Sequence, residues 1–133
     1  MRTRARESVF KYLFAELFNT ASEEFFAVVI KENQLNEQNV AFAKELLACC
    51  QKGFDKYVKT IDELAIGYNY SRIHNADKCA IILGMAELDN YQDTPKVVII
   101  DEAVKLSAKY STEKSTDFVN GILAQYAKDV RND

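Results

Sequence analysis

Three arginines at alternate positions open the sequence and could bind phosphate groups. Arg2, Arg4 and Arg6 stand near Lys11 and a single acidic residue, Glu7. A guanidinium donates paired hydrogen bonds to phosphate oxygens and stacks on unpaired bases, so this composition is typical of RNA contacts. The first eleven residues sum to +4 − 1 = +3, and the whole chain to −3, which leaves −3 − 3 = −6 for the rest. A basic end on an acidic body predicts two different partners, although an ordinary solvated helix end is the simpler interpretation.

A second candidate site spans residues 115–121, Ser-Thr-Asp-Phe-Val-Asn-Gly. If a helix begins here, its first turn offers free backbone N–H groups next to the hydroxyls of Ser115 and Thr116, the ring of Phe118 and the amide of Asn120. Such a helix end suits contacts with phosphates and base edges. The alternatives are that Phe118 is a core residue and that Asn120 makes a hydrogen bond between packed helices.

The sequence lacks signatures of catalysis and of metal binding. It contains no glycine-rich nucleotide loop, no HExxH and no GxSxG. His74 is the only histidine, and Asp101 and Glu102, adjacent on a helix, diverge too far to act as a carboxylate pair. Of the three cysteines, Cys49 and Cys50 are adjacent, and the set fits neither a disulfide framework nor a zinc site. We therefore expect no enzyme activity, no metal and no cofactor.

The length of 133 residues and the short apolar runs indicate one domain without a membrane helix. The longest apolar run, residues 25–30, has six residues, whereas a membrane span needs about 18. No uninterrupted apolar segment follows the basic start, so a signal peptide is not indicated. We expect a reduced, cytoplasmic protein with no membrane contact.

The composition favours an all-α fold. Glycine and proline are scarce, at four and one residues, and apolar residues recur at spacings of three and four along seven segments. The run 97–100 resembles a buried strand, but the helical spacing continues past it and Pro95 suits the first turn of a helix. Of the seven predicted helices, the first spans residues 4–18, the second runs from N-cap Ser22 to Lys31, and the third runs from N-cap Asn36 to Gly53. The fourth begins with a capping box at Thr60 and ends at about Gly67, and the fifth begins at about Asn75. The sixth runs from N-cap Thr94, with Pro95 at its first position, to Tyr110, and Ser115 caps the seventh.

Three sequence blocks resemble the NusB family of bacterial transcription antitermination factors. They are RTRARE at 2–7, TPKVVIIDEAVKL at 94–106 and FVNGIL at 118–123. The similarity keeps its register from Arg2 to about Tyr126 and is weakest between residues 19 and 42. The resemblance implies one NusB-like domain over 1–133, with an N-terminal helical subdomain of about 1–67 and a C-terminal one of about 72–133. We place the irregular joint between them at 68–74.

The resemblance also implies partners and site residues. It implies binding to boxA RNA of nascent ribosomal RNA transcripts together with NusE, a small-subunit ribosomal protein, and assembly with other Nus factors and RNA polymerase. The expected RNA-binding residues are Arg2, Arg4, Arg6, Phe14, Ser115, Thr116, Phe118 and Asn120. The expected partner-binding residues, on the acidic side, are Asp77, Glu87 and Glu102.

The chain departs from the family pattern at four positions, which are Ile82, Ala86, Asp101 and Lys114. These departures leave three alternatives open: a helical adaptor that binds protein partners without RNA, a homodimer that covers the arginines, and a relative of the NusB-like part of ribosomal RNA cytosine methyltransferases. No methyltransferase sequence follows Asp133, so the last alternative would need a separate catalytic subunit.

Overall fold

The computed structural model describes residues 2–66 and 73–133, which form seven α-helices and no strand. The all-α prediction is confirmed, and residues 97–100 are helical as predicted. The helices are α1 (Thr3–Leu17), α2 (Glu23–Glu32), α3 (Glu37–Lys52), α4 (Phe54–Ala65), α5 (Asn75–Asn90), α6 (Lys96–Tyr110) and α7 (Glu113–Val130). None of these described helices is both long and apolar enough to span a membrane.

The starts of two helices follow the capping chemistry that the sequence predicts. The Ser22 hydroxyl accepts a hydrogen bond from the Phe25 backbone N–H at 3.0 Å and begins α2. The Asn36 side chain accepts one from the Asn39 N–H at 2.8 Å and begins α3. Each cap satisfies a backbone donor that the helix itself leaves without a partner.

The predicted start of α4 at Thr60 is wrong, because the helix begins directly after Gly53. The Gly53 N–H donates to the Cys49 carbonyl at 3.1 Å while its own carbonyl accepts from the Tyr57 N–H at 2.9 Å, so one residue ends α3 and caps α4. Thr60 lies inside α4, where its hydroxyl donates to the Lys56 carbonyl at 2.8 Å. A Cβ at Gly53 would lie 2.5 Å from the Tyr57 ring, which explains the glycine at this junction.

Two further helix starts differ from their predictions. The N-cap of α7 is Thr112 and not Ser115, since the Thr112 hydroxyl accepts the Ser115 N–H at 3.2 Å. Ser115 therefore belongs to the first turn of α7. The N-cap of α6 is Pro95, one residue later than the predicted Thr94. In both cases the predicted helix exists and only its first residue differs, because several neighbouring residues can serve as a cap.

Helix α5 lies at the centre of the structure and packs on α1, α3, α4, α6 and α7. Its residues are buried almost without interruption from Ala76 to Leu88. At Gly84 an added Cβ would lie 2.8 Å from a methyl group of Leu123, so the glycine permits the close approach of α7. Among the described residues, one hydrophobic cluster takes side chains from all seven helices.

The predicted division into two subdomains stays a prediction. The joint that we expect at 68–74 falls mostly on residues 67–72, which lie outside the described residues. Helix α5, which follows this joint, packs against helices of both proposed subdomains.

Candidate nucleic-acid interface

The first turn of α1 separates the three arginines of the N-terminal segment. Arg2 and Arg4 are exposed, whereas Arg6 is only 4% exposed. The buried face of α1 carries Val9 and Phe10, which follow Arg6 by three and four residues. Residues at these spacings share one side of a helix, so the position of Arg6 places its side chain in the interior.

Arg6 is held by two carboxylates from distant helices. Its Nε and Nη2 donate to the two carboxylate oxygens of Glu87 in α5, at 2.8 and 2.6 Å, and its Nη1 donates to Glu102 Oε1 in α6 at 3.0 Å. The Thr3 hydroxyl donates to the same Glu102 oxygen at 2.6 Å. We refer to Arg6, Glu87 and Glu102 as the buried ionic cluster. It ties the start of α1 to α5 and α6.

The charges in the buried ionic cluster stabilise each other. Burial alone would lower the pKa of Arg6, but the hydrogen bonds and negative charges of Glu87 and Glu102 outweigh burial and raise it. The guanidinium is therefore charged at every physiological pH, and its donors are used inside the fold. This arrangement argues against the predicted RNA contact by Arg6, because the side chain is not at the surface.

The acidic residues expected to bind a protein partner are also in the interior. Glu87 is 1% exposed and Glu102 is 8% exposed, and both contact Arg6. Asp77 is fully buried and accepts a hydrogen bond from the Ser107 hydroxyl at 2.7 Å. In this structure the three carboxylates stabilise the packing of α5 and α6, and a partner could reach them only if these helices moved.

The departures from the family pattern divide between the interior and the surface. Ile82 and Ala86 are buried in α5, so they change packing and not an exposed face. Asp101 is exposed and pairs with Lys105 at 3.2 Å within α6. Lys114 is exposed in the first turn of α7.

Arg2 lies against an aromatic ring that the sequence analysis did not single out. Its guanidinium carbon is 4.2 Å from the centroid of the Phe42 ring in α3, a cation–π contact that orients the side chain. Phe42 in turn meets the Tyr91 ring edge to face at 5.2 Å. Arg4 is exposed and lines a cleft whose other charged residues are Arg6, Glu7, Glu102, Lys105 and Lys109. Since the contact with Phe42 joins α1 to α3, nothing in the local sequence of α1 indicates it.

A polar contact between α1 and α6 lies next to Arg4. Glu7 Oε2 accepts hydrogen bonds from Lys109 Nζ at 2.6 Å and from the Tyr110 hydroxyl at 2.7 Å. Partial burial raises the pKa of Glu7, but the two hydrogen bonds and the charges of Lys109 and Lys11 outweigh it, and the pKa is lowered overall. Glu7 is therefore ionised at neutral pH, and its charge is compensated locally.

Phe14 lies farther along α1, among other aromatic residues. Its ring is 36% exposed and packs on the rings of Phe10 and Phe18, at centroid distances of 6.3 and 5.2 Å. Phe10 is buried and also stacks on Tyr110 at 4.9 Å. The predicted site residue Phe14 is thus exposed, and the exposed Phe18 and Tyr110 beside it were not predicted as site residues. Their apolar spacing indicated only a helix face.

The second candidate site is divided between surface and core. Ser115 is fully buried, and Phe118 is 3% exposed within the hydrophobic cluster, as the core alternative predicts. Thr116 is half-buried and its hydroxyl donates to the Glu113 carbonyl at 2.6 Å, and Asn120 is exposed. Of the four predicted site residues in this segment, Thr116 and Asn120 are therefore placed to meet a ligand directly.

The cysteine thiols do not form a reactive centre. Burial raises the pKa of Cys79 to about 12 and raises the pKa of Cys50 further, so both thiols are protonated at neutral pH. Within residues 2–66 and 73–133, no group of three or more His, Cys, Asp or Glu residues could hold a metal ion.

Comparison with known proteins gives the same family along nearly the whole chain. A model of the NusB family matches residues 3–128. The transcription antitermination protein NusB of Nitratiruptor sp. is 32% identical over 136 residues, which cover 98% of this chain and 94% of that protein. The NusB of Pediococcus pentosaceus is 32% identical over 130 residues, which cover 96% of this chain and 97% of that protein.

Solved structures agree with the family match. T. maritima NusB superposes with a TM-score of 0.86 at 28% identity, covering 99% of this chain and 94% of that one. A chain in the crystal structure of antitermination factors NusB and NusE in complex with dsRNA gives a TM-score of 0.82 at 26% identity, with 96% of both chains covered. The family match, the curated relatives and the shared fold together show that this chain belongs to the NusB family.

Proposed function

We propose that this protein is a transcription antitermination factor that binds boxA RNA together with the ribosomal protein NusE. The observation that carries the proposal is the pair of exposed arginines, Arg2 and Arg4, at the start of α1 in a chain of the NusB family. Curated relatives are named transcription antitermination proteins, and a similar chain occurs in a complex with NusE and dsRNA. In the cytoplasm of a bacterium, the complex joins other Nus factors and RNA polymerase on the nascent transcript.

RNA binding divides between charged and aromatic side chains. Arg2 and Arg4 neutralise phosphates, Phe14 stacks on an unpaired base, and Thr116 with Asn120 contacts the RNA near the start of α7. Arg6 acts indirectly, because it fixes the first turn of α1 through Glu87 and Glu102. The role of this chain is recognition and assembly, with no catalytic step.

The acidity of the chain explains why it needs a basic partner. With a net charge of −3, the protein alone attracts polyanions weakly. A basic ribosomal protein that binds the acidic body supplies additional positive charge beside the arginines. We therefore expect tight RNA binding by the heterodimer and weak binding by this chain alone.

A ternary binding assay tests the proposal. The affinity of boxA RNA is measured with and without NusE, for the wild type and for the Arg2→Ala/Arg4→Ala variant. The matched control is Lys52→Ala/Lys59→Ala, which removes two exposed positive charges far from α1 in sequence. We expect NusE to increase the affinity, and the arginine variant alone to weaken it.

Three results would contradict the proposal, and two of them identify an alternative. NusE binding that is independent of boxA RNA would favour a protein-only adaptor. A dimer in size-exclusion chromatography that ignores RNA at low salt would favour the homodimer. Equal affinity for boxA and a scrambled RNA would remove the sequence preference.

A further inference from the structure

One groove collects much of the exposed apolar surface of the described residues. Four exposed large hydrophobic side chains, Phe14, Phe18, Val28 and Tyr110, line it, with exposed fractions of 36%, 54%, 52% and 37%. The groove lies between α1 and α2, has a volume of about 580 Å³, and ends at the last residue of α6. Apolar patches of this kind mark binding sites, because their exposure to water is unfavourable.

The aromatic rings in the groove are fixed in a row by a buried neighbour. The rings of Phe14 and Tyr110 both stack on Phe10, with interplanar angles of 26° and 27°. Phe18 continues the row beyond Phe14, at a centroid distance of 5.2 Å. The Tyr110 hydroxyl is held by Glu7, so its ring does not rotate freely. Rings fixed in this way lose little conformational freedom when a flat ligand stacks on them.

Positive charges lie on the α1 side of this row. Arg4, Lys11 and Phe18 are separated by seven residues each, so they follow one side of α1 over about 21 Å. Lys109 Nζ lies 5.3 Å from the centroid of the Tyr110 ring. Glu7 stands on the same side and pairs with Lys109, so these two charges compensate each other. Glu32 lines the opposite, α2 side of the groove. Arg4 and Lys11 therefore supply the positive charge on the α1 side, which leads to the arginine end of the helix.

We propose that this groove binds unpaired bases of a single-stranded RNA segment adjacent to the one held by Arg2 and Arg4. Phe18 and Tyr110 are the new stacking residues, and Val28 of α2 closes the groove from the other side. The proposal rests on the proposed RNA-binding function and extends it to α2 and to the end of α6. Cationic side chains beside aromatic ones are the chemistry that binds single strands, since every base has a face that can stack.

The charge distribution favours RNA over a protein segment as the occupant. An apolar peptide would bury the rings but would leave the positive charges of Arg4 and Lys11 without a role. A single strand uses both, because its phosphates follow the basic side of α1 while its bases enter the groove. RNA and a peptide also require different side chains in the groove. Stacking of a base requires an aromatic ring, whereas an apolar peptide requires only an apolar side chain.

The test compares ring-removing with ring-preserving variants in the heterodimer with NusE. The probe is a boxA-containing single strand extended at either end and labelled with 2-aminopurine, whose fluorescence is quenched on stacking. Phe18→Leu and Tyr110→Leu keep an apolar side chain without a ring, whereas Phe18→Tyr and Tyr110→Phe keep the ring. Val97→Ala, exposed near the opposite end of α6, is the control. Thermal unfolding by circular dichroism verifies that each variant is folded.

We expect each leucine variant to weaken binding about tenfold, because one base stack contributes about 1–3 kcal/mol. The slope of log K against log salt stays constant, since no charge is removed. The leucine variants also lose the quenching of 2-aminopurine at the extended positions. Val97→Ala stays within about twofold of the wild type. The ring-preserving variants bind more tightly than the matching leucine variants, because they keep a stacking face in place.

Several outcomes would overturn this inference. If the leucine variants bind the extended RNA like the wild type while Arg2→Ala/Arg4→Ala still lowers the salt slope, the groove is not part of the RNA site and the proposed function stands. If Phe18→Leu and Phe18→Glu instead weaken NusE binding, or if Phe18→Glu converts a dimer to a monomer, a protein occupies the groove. If the wild-type heterodimer does not bind RNA, both proposals fail.

Discussion

Arg4 and Arg6 are two residues apart on one helix and have opposite surroundings. Both line one cleft with Glu7, Glu102, Lys105 and Lys109, but Arg4 is exposed, whereas Arg6 is 4% exposed and is held by Glu87 and Glu102. Two residues correspond to about 200° around a helix, so the two side chains leave the helix in different directions. The difference shows that a run of arginines is not one functional unit, since each charge acts according to the face that carries it.

The two regions also differ in how their charges contribute to stability. Breaking a buried ion pair leaves a charge without a partner in a medium that solvates it poorly, which is costly. An exposed pair such as Lys105 with Asp101 is solvated whether or not it forms, so it contributes little. Breaking the buried ionic cluster is therefore expected to destabilise the fold, whereas the exposed arginines are available for a ligand.

The largest expected effect is that of Arg6→Met. The variant leaves Glu87 buried without its cation and leaves Glu102 only its pair with Lys105 at 3.5 Å. We expect it to lower the free energy of unfolding by about 3–5 kcal/mol at neutral pH. Urea unfolding at neutral pH measures this loss.

Arg4→Met is the control for this comparison. Its side chain is exposed, so the free energy of unfolding should change by less than about 0.5 kcal/mol. Equal losses for the two variants would show that the charges are not divided between interior and surface in solution.

The two carboxylates of the buried ionic cluster should contribute unequally. Glu87 accepts two hydrogen bonds from Arg6, and Glu102 accepts one. We expect Glu87→Gln to lower the free energy of unfolding by about 1.5–3 kcal/mol and Glu102→Gln by less, since a glutamine carbonyl can still accept from Thr3. Asp101→Asn, exposed next to Glu102, is the matched control for urea unfolding. A larger loss of stability for Glu102→Gln would contradict the expectation that Glu87 contributes more than Glu102.

The salt dependence of RNA binding distinguishes the exposed arginines from Arg6. For a single strand, each neutralised phosphate contributes about 0.7 to the slope of log K against log salt. We expect Arg2→Ala/Arg4→Ala to lower the slope by about 1.4, or 2 × 0.7, by the same relation. Arg6→Met, used where circular dichroism shows that the variant is folded, leaves the slope unchanged, because Arg6 makes no phosphate contact. A reduced slope for folded Arg6→Met would indicate that Arg6 reaches the RNA.

The smallest expected effect concerns pH and the contact between Glu7 and Lys109. Because the pKa of Glu7 is lowered in the folded protein, its contribution to stability is complete above its unfolded value of about 4.5. That contribution is lost as the pH falls through the lower, folded value. The stability difference between wild type and Glu7→Gln should therefore vanish in acid, as measured by urea unfolding.

Glu24→Gln, an exposed change on α2, should show no comparable trend with pH. A difference between the wild type and Glu7→Gln that persists far below pH 4.5 would contradict the lowered pKa.

Local patterns predicted the helices better than they predicted the site. Ser22 and Asn36 cap helices as expected, since a cap depends only on residues within one turn. The prediction that a helix begins at Thr60 was wrong, because its capping pattern lies inside a helix that begins directly after Gly53. Phe14 and Asn120 are exposed as a binding role requires, whereas Phe118 and Ser115 are buried. Burial depends on which helices pack together, and the spacing within one helix does not specify that.

The sequence by itself determined the helices, the family and the basic start of α1, because these follow from residue types and short-range spacing. Tertiary structure decided which charges are available. Glu87 and Glu102 stand 81 and 96 positions after Arg6 and meet it only when α5 and α6 pack on α1. The same packing brings Tyr110 to Phe10 and forms one end of the aromatic groove. Contacts across such distances depend on the global arrangement of the core, which local propensity does not determine.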